Sequence, residues 1–166
     1  DTLNNCMTTA FKLFDDKKCD ICCLQDTKIL LGDPKGATTE FQTVSRRVIS
    51  YNTKTGHTIT TAVDRHIPIK AVITGPCCLS LIIDMRGLFL RVTNIYAPVF
   101  TNKQADNLEL QKHWQEVGEH LRSTTIPGKP TMDIIMGDFN AQLGREDGEE
   151  GGPIGLNLYH PKSNLP

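Results

Sequence analysis

The sequence lacks the features that mark membrane-spanning, secreted and strongly basic proteins. No apolar run approaches the length that crosses a bilayer, and no charged start followed by an apolar stretch resembles a signal peptide. The formal net charge of -1 is far from the basic balance that is typical of nucleic-acid binding through overall charge. We therefore expect a soluble, intracellular protein with no membrane partner, in which any polyanion site is a local patch or depends on a bound metal.

The cysteines lack the spacing of a zinc site. Cys19, Cys22 and Cys23 would supply half of one, but Cys77 and Cys78 are adjacent rather than spaced. In a strand, Cys22 and Cys23 would also point to opposite faces. We expect buried, reduced thiols rather than a zinc site or disulfides.

The chain also lacks low-complexity tracts, internal repeats and linkers. Its 166 residues, 39% of them hydrophobic and 22% charged, suit one domain, 1–166, with a real core. The first residue is Asp1 rather than methionine, which suggests a processed or excised piece.

Hydrophobic periodicity predicts an α/β architecture. Apolar residues recur at helical spacing over roughly the first seventeen residues and again from 103 to about 122, where Trp114 should anchor the second helix to a sheet. Pro68 limits the strand that contains it to a sheet edge or a late start. Strands are predicted at 19–24, 41–51, 58–63, 67–74, 79–84, 88–96 and 132–137, with 41–51 and 58–63 as an antiparallel pair.

The stretch Ile134-Ile-Met-Gly-Asp-Phe-Asn-Ala-Gln-Leu-Gly144 carries the strongest local signal. An apolar run, interpreted as a buried strand, ends at a glycine and delivers Asp138 and Asn140 two residues apart. Strand ends in open α/β structures collect ligand-handling groups. An Asx turn, in which Asp138 and Asn140 bond their own backbone, explains the pattern equally well.

Polar side chains follow three separate predicted strands. Two carboxylates, two amides and a phenol are what a magnesium-assisted phosphodiester hydrolase needs, because Mg²⁺ binds through one or two carboxylates and neutralises charge that develops on phosphate. The candidate site residues are Asp26, Asn94, Tyr96, Asp138 and Asn140.

Three motifs in this order resemble the endonuclease/exonuclease/phosphatase superfamily. They are Leu24-Gln25-Asp26-Thr27, Asn94-Ile95-Tyr96-Ala97-Pro98 and Gly137-Asp138-Phe139-Asn140-Ala141. The residues of these motifs are most similar to those of the endonuclease domain of LINE-type non-LTR retrotransposons, whose polyproteins continue into a reverse transcriptase. The resemblance runs from the first helix to about Gly155, and Gly-Asp-Phe-Asn is its most specific piece.

The resemblance implies a role for each site residue. Asp26 falls where the family has a metal-binding glutamate, and Tyr96 falls where it has a tyrosine near the scissile phosphate. Asp138 matches an aspartate that orients and activates water, and Asn140 matches an asparagine that contacts the phosphate. Asn94 matches the retrotransposon form of its motif as a supporting or purely structural residue. The implied cofactor is Mg²⁺, with Mn²⁺ as the alternative.

The chain departs from the family pattern in three places. Asp26 is one methylene shorter than the family glutamate, which weakens metal binding or recruits a bridging water. The family's first strand, which carries an asparagine, and its final Ser-Asp-His segment have no counterpart, so truncation at both ends is expected, with an exposed sheet edge. The histidines that are present are interpreted as ordinary surface or core residues: His57, His66, His113, His120 and His160.

The resemblance therefore implies an α/β (α+β) fold, a partial two-sheet β-sandwich flanked by helices and similar to deoxyribonuclease. Two interpretations of function follow. One is a metal-dependent, DNA-nicking endonuclease domain of a retrotransposon polyprotein, nuclear and impaired or inactive through truncation, with DNA and the reverse transcriptase region as partners. The other is a non-catalytic remnant that binds metal, nucleic acid or a protein partner. A third interpretation, a phosphatase acting on phospholipid or small phosphoesters, agrees less well with the residues of the three motifs.

Overall fold

The computed structural model describes residues 2–29, 32–97, 104–124 and 126–140. Neither helix within these ranges is long and apolar enough to span a bilayer. The helices are α1 (Thr2–Asp16) and α2 (Gln104–Ser123). The strands are β1 (Ile21–Gln25), β2 (Thr38–Gln42), β3 (Arg46–Asn52), β4 (Thr58–Asp64), β5 (Ile69–Thr74), β6 (Cys78–Asp84), β7 (Phe89–Tyr96) and β8 (Thr131–Asp138).

The strands form two four-stranded sheets. The first sheet has the order β1-β4-β3-β2 and the second has the order β5-β6-β7-β8. Neighbouring strands run antiparallel except β7 and β8, which are parallel and are joined through α2. A parallel pair needs such a long crossover connection, whereas the antiparallel pairs that are consecutive in the chain are joined by short connections. The predicted two-sheet sandwich with helices is confirmed.

Apolar side chains fill three successive layers. The central layer lies between the two sheets and contains Ile49, Tyr51, Ile59, Val63, Leu79 and Leu81, all buried. On the outer side of the first sheet, Phe11 and Phe14 of α1 pack against Cys22, Val48 and Ala62. On the outer side of the second sheet, Trp114, Val117 and Leu121 of α2 pack against Cys77, Cys78 and Ile95. The order of layers is therefore helix, sheet, sheet, helix, and Trp114 contacts the sheet as predicted.

The predicted strand 41–51 needs correction, whereas the prediction made from Pro68 is confirmed. The predicted strand 41–51 is two strands, because the chain turns at residues 43–45, where the hydroxyl of Thr43 accepts a hydrogen bond from the backbone N–H of Arg46 at 3.0 Å. The pairing of the second of these, β3, with β4 is antiparallel as predicted. The strand after Pro68 starts late, at Ile69, and lies at a sheet edge, which confirms both consequences of the proline.

The prediction of a buried strand before Gly137 is wrong. Among the described strands β8 is outermost in its sheet, and Met132, Ile134 and Ile135 are 55%, 40% and 43% exposed. An apolar run predicts a strand but not its place in the sheet, which depends on distant pairing partners. The predicted strand 19–24 is β1, which is also outermost among the described strands of its sheet, and Cys22 is its one buried residue, so an interpretation of its mostly apolar run as a strand buried on both faces is wrong as well.

Five cysteines fall in the part of the chain with described side chains, and all are free thiols: Cys19, Cys22, Cys23, Cys77 and Cys78. Cys22 faces α1, whereas Cys23 lies on the other face of β1, with its sulfur 3.9 Å from the hydroxyl oxygen of Thr61. Burial raises the pKa of Cys22 to about 11 and that of Cys23 to about 12. Both thiols are therefore protonated and unreactive near neutral pH.

A buried polar cluster joins the end of α2 to the second sheet. The ring Nε2 of His120 lies 2.8 Å from the hydroxyl oxygen of Ser80, and the guanidinium of Arg91 donates to Asp133 and Thr124. Desolvation by burial, with a smaller contribution from the charge of Arg91, lowers the pKa of His120 below its ordinary 6.5. The native state therefore keeps this imidazole neutral at pH values where the unfolded chain protonates it.

His120 is expected to make the protein less stable in mild acid. Because the pKa is lower in the folded state, the unfolded state binds the extra proton as the pH falls below 6.5, so the free energy of unfolding decreases. We expect the melting temperature to fall more between about pH 7.5 and about pH 5 in the wild type than in His120→Gln, whose amide does not titrate in this range. Equal pH slopes for the two proteins would contradict this assignment.

Candidate functional site

The three sequence motifs meet at one end of the sandwich. β1 ends in the first motif and lies against β7 and β8, which end in the second and third motifs. The side chain of Gln25 donates a 2.7 Å hydrogen bond to the Oδ1 of Asn94, so the first and second motifs contact each other directly. In the parallel register Tyr96 is the partner of Asp138, which aligns the second motif with the third.

Asn94 is a fully buried bridge between the two sheets. Its Nδ2 donates to the backbone oxygen of Thr60 at 3.0 Å, with longer contacts of 3.3 Å to the backbone oxygen of Leu24 and the hydroxyl of Thr61. Together with the hydrogen bond from Gln25, these contacts occupy both the oxygen and the nitrogen of the Asn94 amide. Asn94 is therefore a structural residue that ties β7 to β1 and β4, since none of its polar atoms is directed toward solvent.

Asn94→Leu is expected to lower the free energy of unfolding by about 3 kcal/mol, because it leaves the amide of Gln25 and two backbone carbonyls of the core without this partner. Urea denaturation measures the change. The matched control is Gln115→Ala, which removes an exposed amide pairing with Glu119 and should cost less than about 0.5 kcal/mol. A small loss in Asn94→Leu, similar to the control, would count against the bridging role.

Gly137 and Phe139 fix the position of the third motif, and Asp138 lies between them. Gly137 has φ +151°, and a Cβ on it would lie 1.9 Å from the backbone oxygen of Ile95, so only glycine fits beside β7. The ring of Phe139 stacks on Trp114 of α2, with centroids 5.8 Å apart. Asp138, between them, is exposed at the strand end.

Asp138 and Asn140 form the Asx turn that the sequence allowed. The backbone N–H of Asn140 donates to the Oδ1 of Asp138 at 2.9 Å, and the side-chain Nδ2 of Asn140 donates to the backbone oxygen of Ala97. The N–H of Ala97 in turn donates to the backbone oxygen of Asp138 at 2.8 Å. The turn occupies one oxygen of the Asp138 carboxylate, and Ala141, the last residue of the motif, lies outside the described residues.

Asp26 stands just beyond β1, with its side chain 46% exposed. Its backbone has φ +49°, in the left-handed region, which aspartate tolerates better than most residues. The carboxylate lies 4.0 Å from the Nζ of Lys28, and the following residue is fixed by the bond from the N–H of Thr27 to the oxygen of Thr58, 3.1 Å. The first motif therefore presents its carboxylate to solvent on an ordered backbone.

His57 lies between Asp26 and Tyr96, and sequence reasoning did not place it in the site. Its Nδ1 is 3.6 Å from the Oδ1 of Asp26, and its ring centroid is 4.6 Å from that of Tyr96 at an interplanar angle of 41°. The register explains the placement: β4 runs antiparallel to β1 with Ile59 opposite Gln25, so residues before β4 meet residues after β1. That pairing is long-range, and no local pattern around Gly56-His57 reveals it.

A surface depression of about 420 Å³ adjoins Asp26 and His57. Its lining includes two lysines, Lys28 and Lys35, and one further carboxylate, Asp33. The cations give this side of the site groups that suit a phosphate, while the carboxylates keep the local charge balanced.

The donor chemistry at this end fits a hard divalent cation of the Mg²⁺ type. Within the described ranges no three His, Cys, Asp or Glu side chains lie close enough together to hold a metal. Mg²⁺ is bound through one or two carboxylates, with water as its other ligands, so the exposed Asp26 carboxylate meets this requirement.

The other three histidines among the described residues lie away from the candidate site. His113 and His120 are buried on α2, His66 is exposed after β4, and His160 lies outside the described residues. The structure thus brings together Asp26, His57, Tyr96, Asp138 and Asn140, with Asn94 beneath them.

Comparison with known proteins finds similarity among solved structures but not among sequence families or curated proteins. No protein-family model matches the sequence, and no curated protein matches it. Among solved structures, truncated TDP2 from Caenorhabditis elegans is similar with a TM-score of 0.49 and 13% sequence identity. The match covers 84% of this chain and 56% of that structure, so the chain spans little more than half of the length of the protein that it matches.

Proposed function

We propose that the protein is a metal-dependent phosphodiester hydrolase of the endonuclease/exonuclease/phosphatase type, with DNA as its substrate and Mg²⁺ or Mn²⁺ as its ion. The observation that carries the proposal is the convergence of three motifs, distant in sequence, at one end of the sandwich. Tyr96 and Asp138 are register partners there, and His57 contacts both Asp26 and Tyr96. The residues of the three motifs further support that the chain is a domain of a retrotransposon polyprotein. Such a polyprotein includes a reverse transcriptase region, and we expect it to act in the nucleus.

The site residues would bind the ion and the phosphate and would orient the attacking water. Asp26 would hold the ion, which supplies charge neutralisation for the phosphate. The oxygen of Asp138 that does not accept from Asn140 is suited to orient the attacking water as a hydrogen-bond acceptor. The phenol of Tyr96 and the second amide hydrogen of Asn140 are suited to donate to phosphate oxygens.

A non-catalytic role is the second candidate, and one observation favours it. The Asx turn explains the presence of Asp138 and Asn140 without catalysis, because one carboxylate oxygen and the amide nitrogen are already bonded to backbone. In that case the fold would bind metal, nucleic acid or a protein partner without turnover.

The test is nicking of supercoiled plasmid by the purified chain, with Mg²⁺ and with EDTA, after circular dichroism has shown that the chain is folded. The hydrolase proposal expects conversion to the open-circular form with Mg²⁺ and none with EDTA. A folded chain that leaves the plasmid intact with both Mg²⁺ and Mn²⁺ would reject the hydrolase and favour the binding remnant.

A further inference from the structure

We propose that His57 is a positioning residue of the metal site, whose Nδ1 orients the Asp26 carboxylate toward the ion. The inference rests on the proposed function, because it assigns the ion to Asp26. Among the described side chains, the basic group nearest to that carboxylate is the imidazole of His57, whose Nδ1 lies 3.6 Å from Oδ1, against 4.0 Å for the Nζ of Lys28. A ring nitrogen that faces a carboxylate carries the hydrogen.

The turn before β4 holds His57 in place. The backbone N–H of His57 donates to the hydroxyl of Thr53 at 3.1 Å, and its carbonyl accepts from the N–H of Thr53 at 2.8 Å. Thr53 is fully buried, and its hydroxyl also lies 2.8 Å from that of Thr55. The contact of the imidazole ring with Tyr96 then fixes the ring plane from the opposite sheet.

Asp26 needs such an orienting group more than a longer, better-packed ligand would. Its side chain is short and 46% exposed, so solvent leaves the carboxylate free to rotate. Metal-ligating side chains are usually fixed by hydrogen-bonding partners, and loss of such a partner typically costs about 10- to 100-fold in metal affinity. Lys28 cannot take this role well, because a cation on a flexible stem competes with the metal for the same charge.

The test is the Mn²⁺ affinity of the isolated chain, measured by electron paramagnetic resonance without DNA. His57→Ala and His57→Phe should each weaken Mn²⁺ binding about 10- to 100-fold, because phenylalanine keeps the ring but removes the nitrogen. His57→Asn places an amide N–H close to the position of Nδ1, and should retain affinity within about threefold of the wild type.

Three control variants complete the experiment. Asp26→Asn should weaken Mn²⁺ binding at least as much as His57→Ala does, which shows that the measured ion is at this site. His66→Ala, at an exposed histidine after β4, should keep the wild-type affinity. Lys28→Met, which removes the nearby ammonium group, should keep the wild-type affinity or raise it.

The inference is overturned if all His57 variants bind Mn²⁺ as the wild type does, or if His57→Phe retains affinity and His57→Asn loses it. Wild-type binding that is insensitive to Asp26→Asn would also overturn it, because the ion is then elsewhere. The proposed hydrolase can fail separately: Mn²⁺ binding that depends on Asp26 and His57 without plasmid nicking would support the positioning role and reject turnover.

Discussion

Asp138→Asn is expected to lower Mg²⁺-dependent plasmid nicking by about 10²- to 10⁴-fold, the usual contribution of a positioned acid-base group. The substitution is chosen because asparagine keeps an Oδ1 acceptor in the same place. The Asx turn to the N–H of Asn140 therefore survives, whereas the carboxylate that would orient water is lost. Rates of conversion of supercoiled to open-circular plasmid measure the effect.

Asp138→Asn separates the two explanations of the motif. If the carboxylate acts on water, Asp138→Asn and Asp138→Ala are equally inactive, and Asp138→Asn keeps the wild-type melting temperature. If the carboxylate only completes the turn, Asp138→Asn retains full activity and Asp138→Ala alone is impaired, an outcome incompatible with the proposed role. Glu40→Gln is a matched control that also removes one negative charge. Glu40 lies on β2, at the opposite edge of the first sheet from β1, so this variant should leave nicking unchanged.

Gly137→Ala is expected to lower the free energy of unfolding by at least about 3 kcal/mol, since it combines backbone strain with a steric clash. The added Cβ would lie 1.9 Å from the backbone oxygen of Ile95, and neither strand can move away without breaking the β7–β8 pairing. The same displacement moves Asp138 relative to Tyr96, so nicking should be lost even where the chain stays folded. Urea denaturation followed by near-ultraviolet circular dichroism measures the stability.

Two other glycines show which part of that cost comes from strain and which from the clash. Gly87→Ala meets no atom within 4 Å and is not in the left-handed region, so it should be close to neutral. Gly128→Ala also meets no atom but has φ +94°, so it should cost about 1 kcal/mol from strain alone. A Gly137→Ala chain as stable as Gly128→Ala would disprove the close approach of the two strands.

Local patterns predicted the elements of this fold well and their neighbours poorly. Both helices follow from hydrophobic periodicity, and the late start after Pro68 follows from the missing N–H of proline. The break at residues 43–45 was missed, because the Thr43 turn contains neither glycine nor proline. The exposure of β8 was missed as well, because an apolar run does not specify whether a strand is central or at an edge.

The candidate site shows the same difference between what local patterns predict and what depends on long-range pairing. Asp26, Tyr96, Asp138 and Asn140 lie at or just after strand ends, and they were predicted as site residues from that position and from the resemblance of their motifs. His57 precedes β4, and its place beside Asp26 depends on the pairing of β1 with β4, two strands more than thirty residues apart in sequence. The burial of Asn94 was likewise not predictable from the sequence, since its partners lie on β1 and β4 of the opposite sheet.

The most direct test of the metal site is the Mg²⁺ dependence of strand cleavage in the wild type and in Asp26→Ala, measured side by side on an end-labelled DNA duplex. The account predicts that wild-type cleavage rises with Mg²⁺ and saturates. Asp26→Ala should need about 10-fold or more Mg²⁺ to reach its own, lower maximum, because its ligand is missing. The same half-saturating Mg²⁺ concentration in both proteins, or wild-type cleavage that persists in EDTA, would contradict the assignment of Asp26 and the metal dependence on which the proposed function is built.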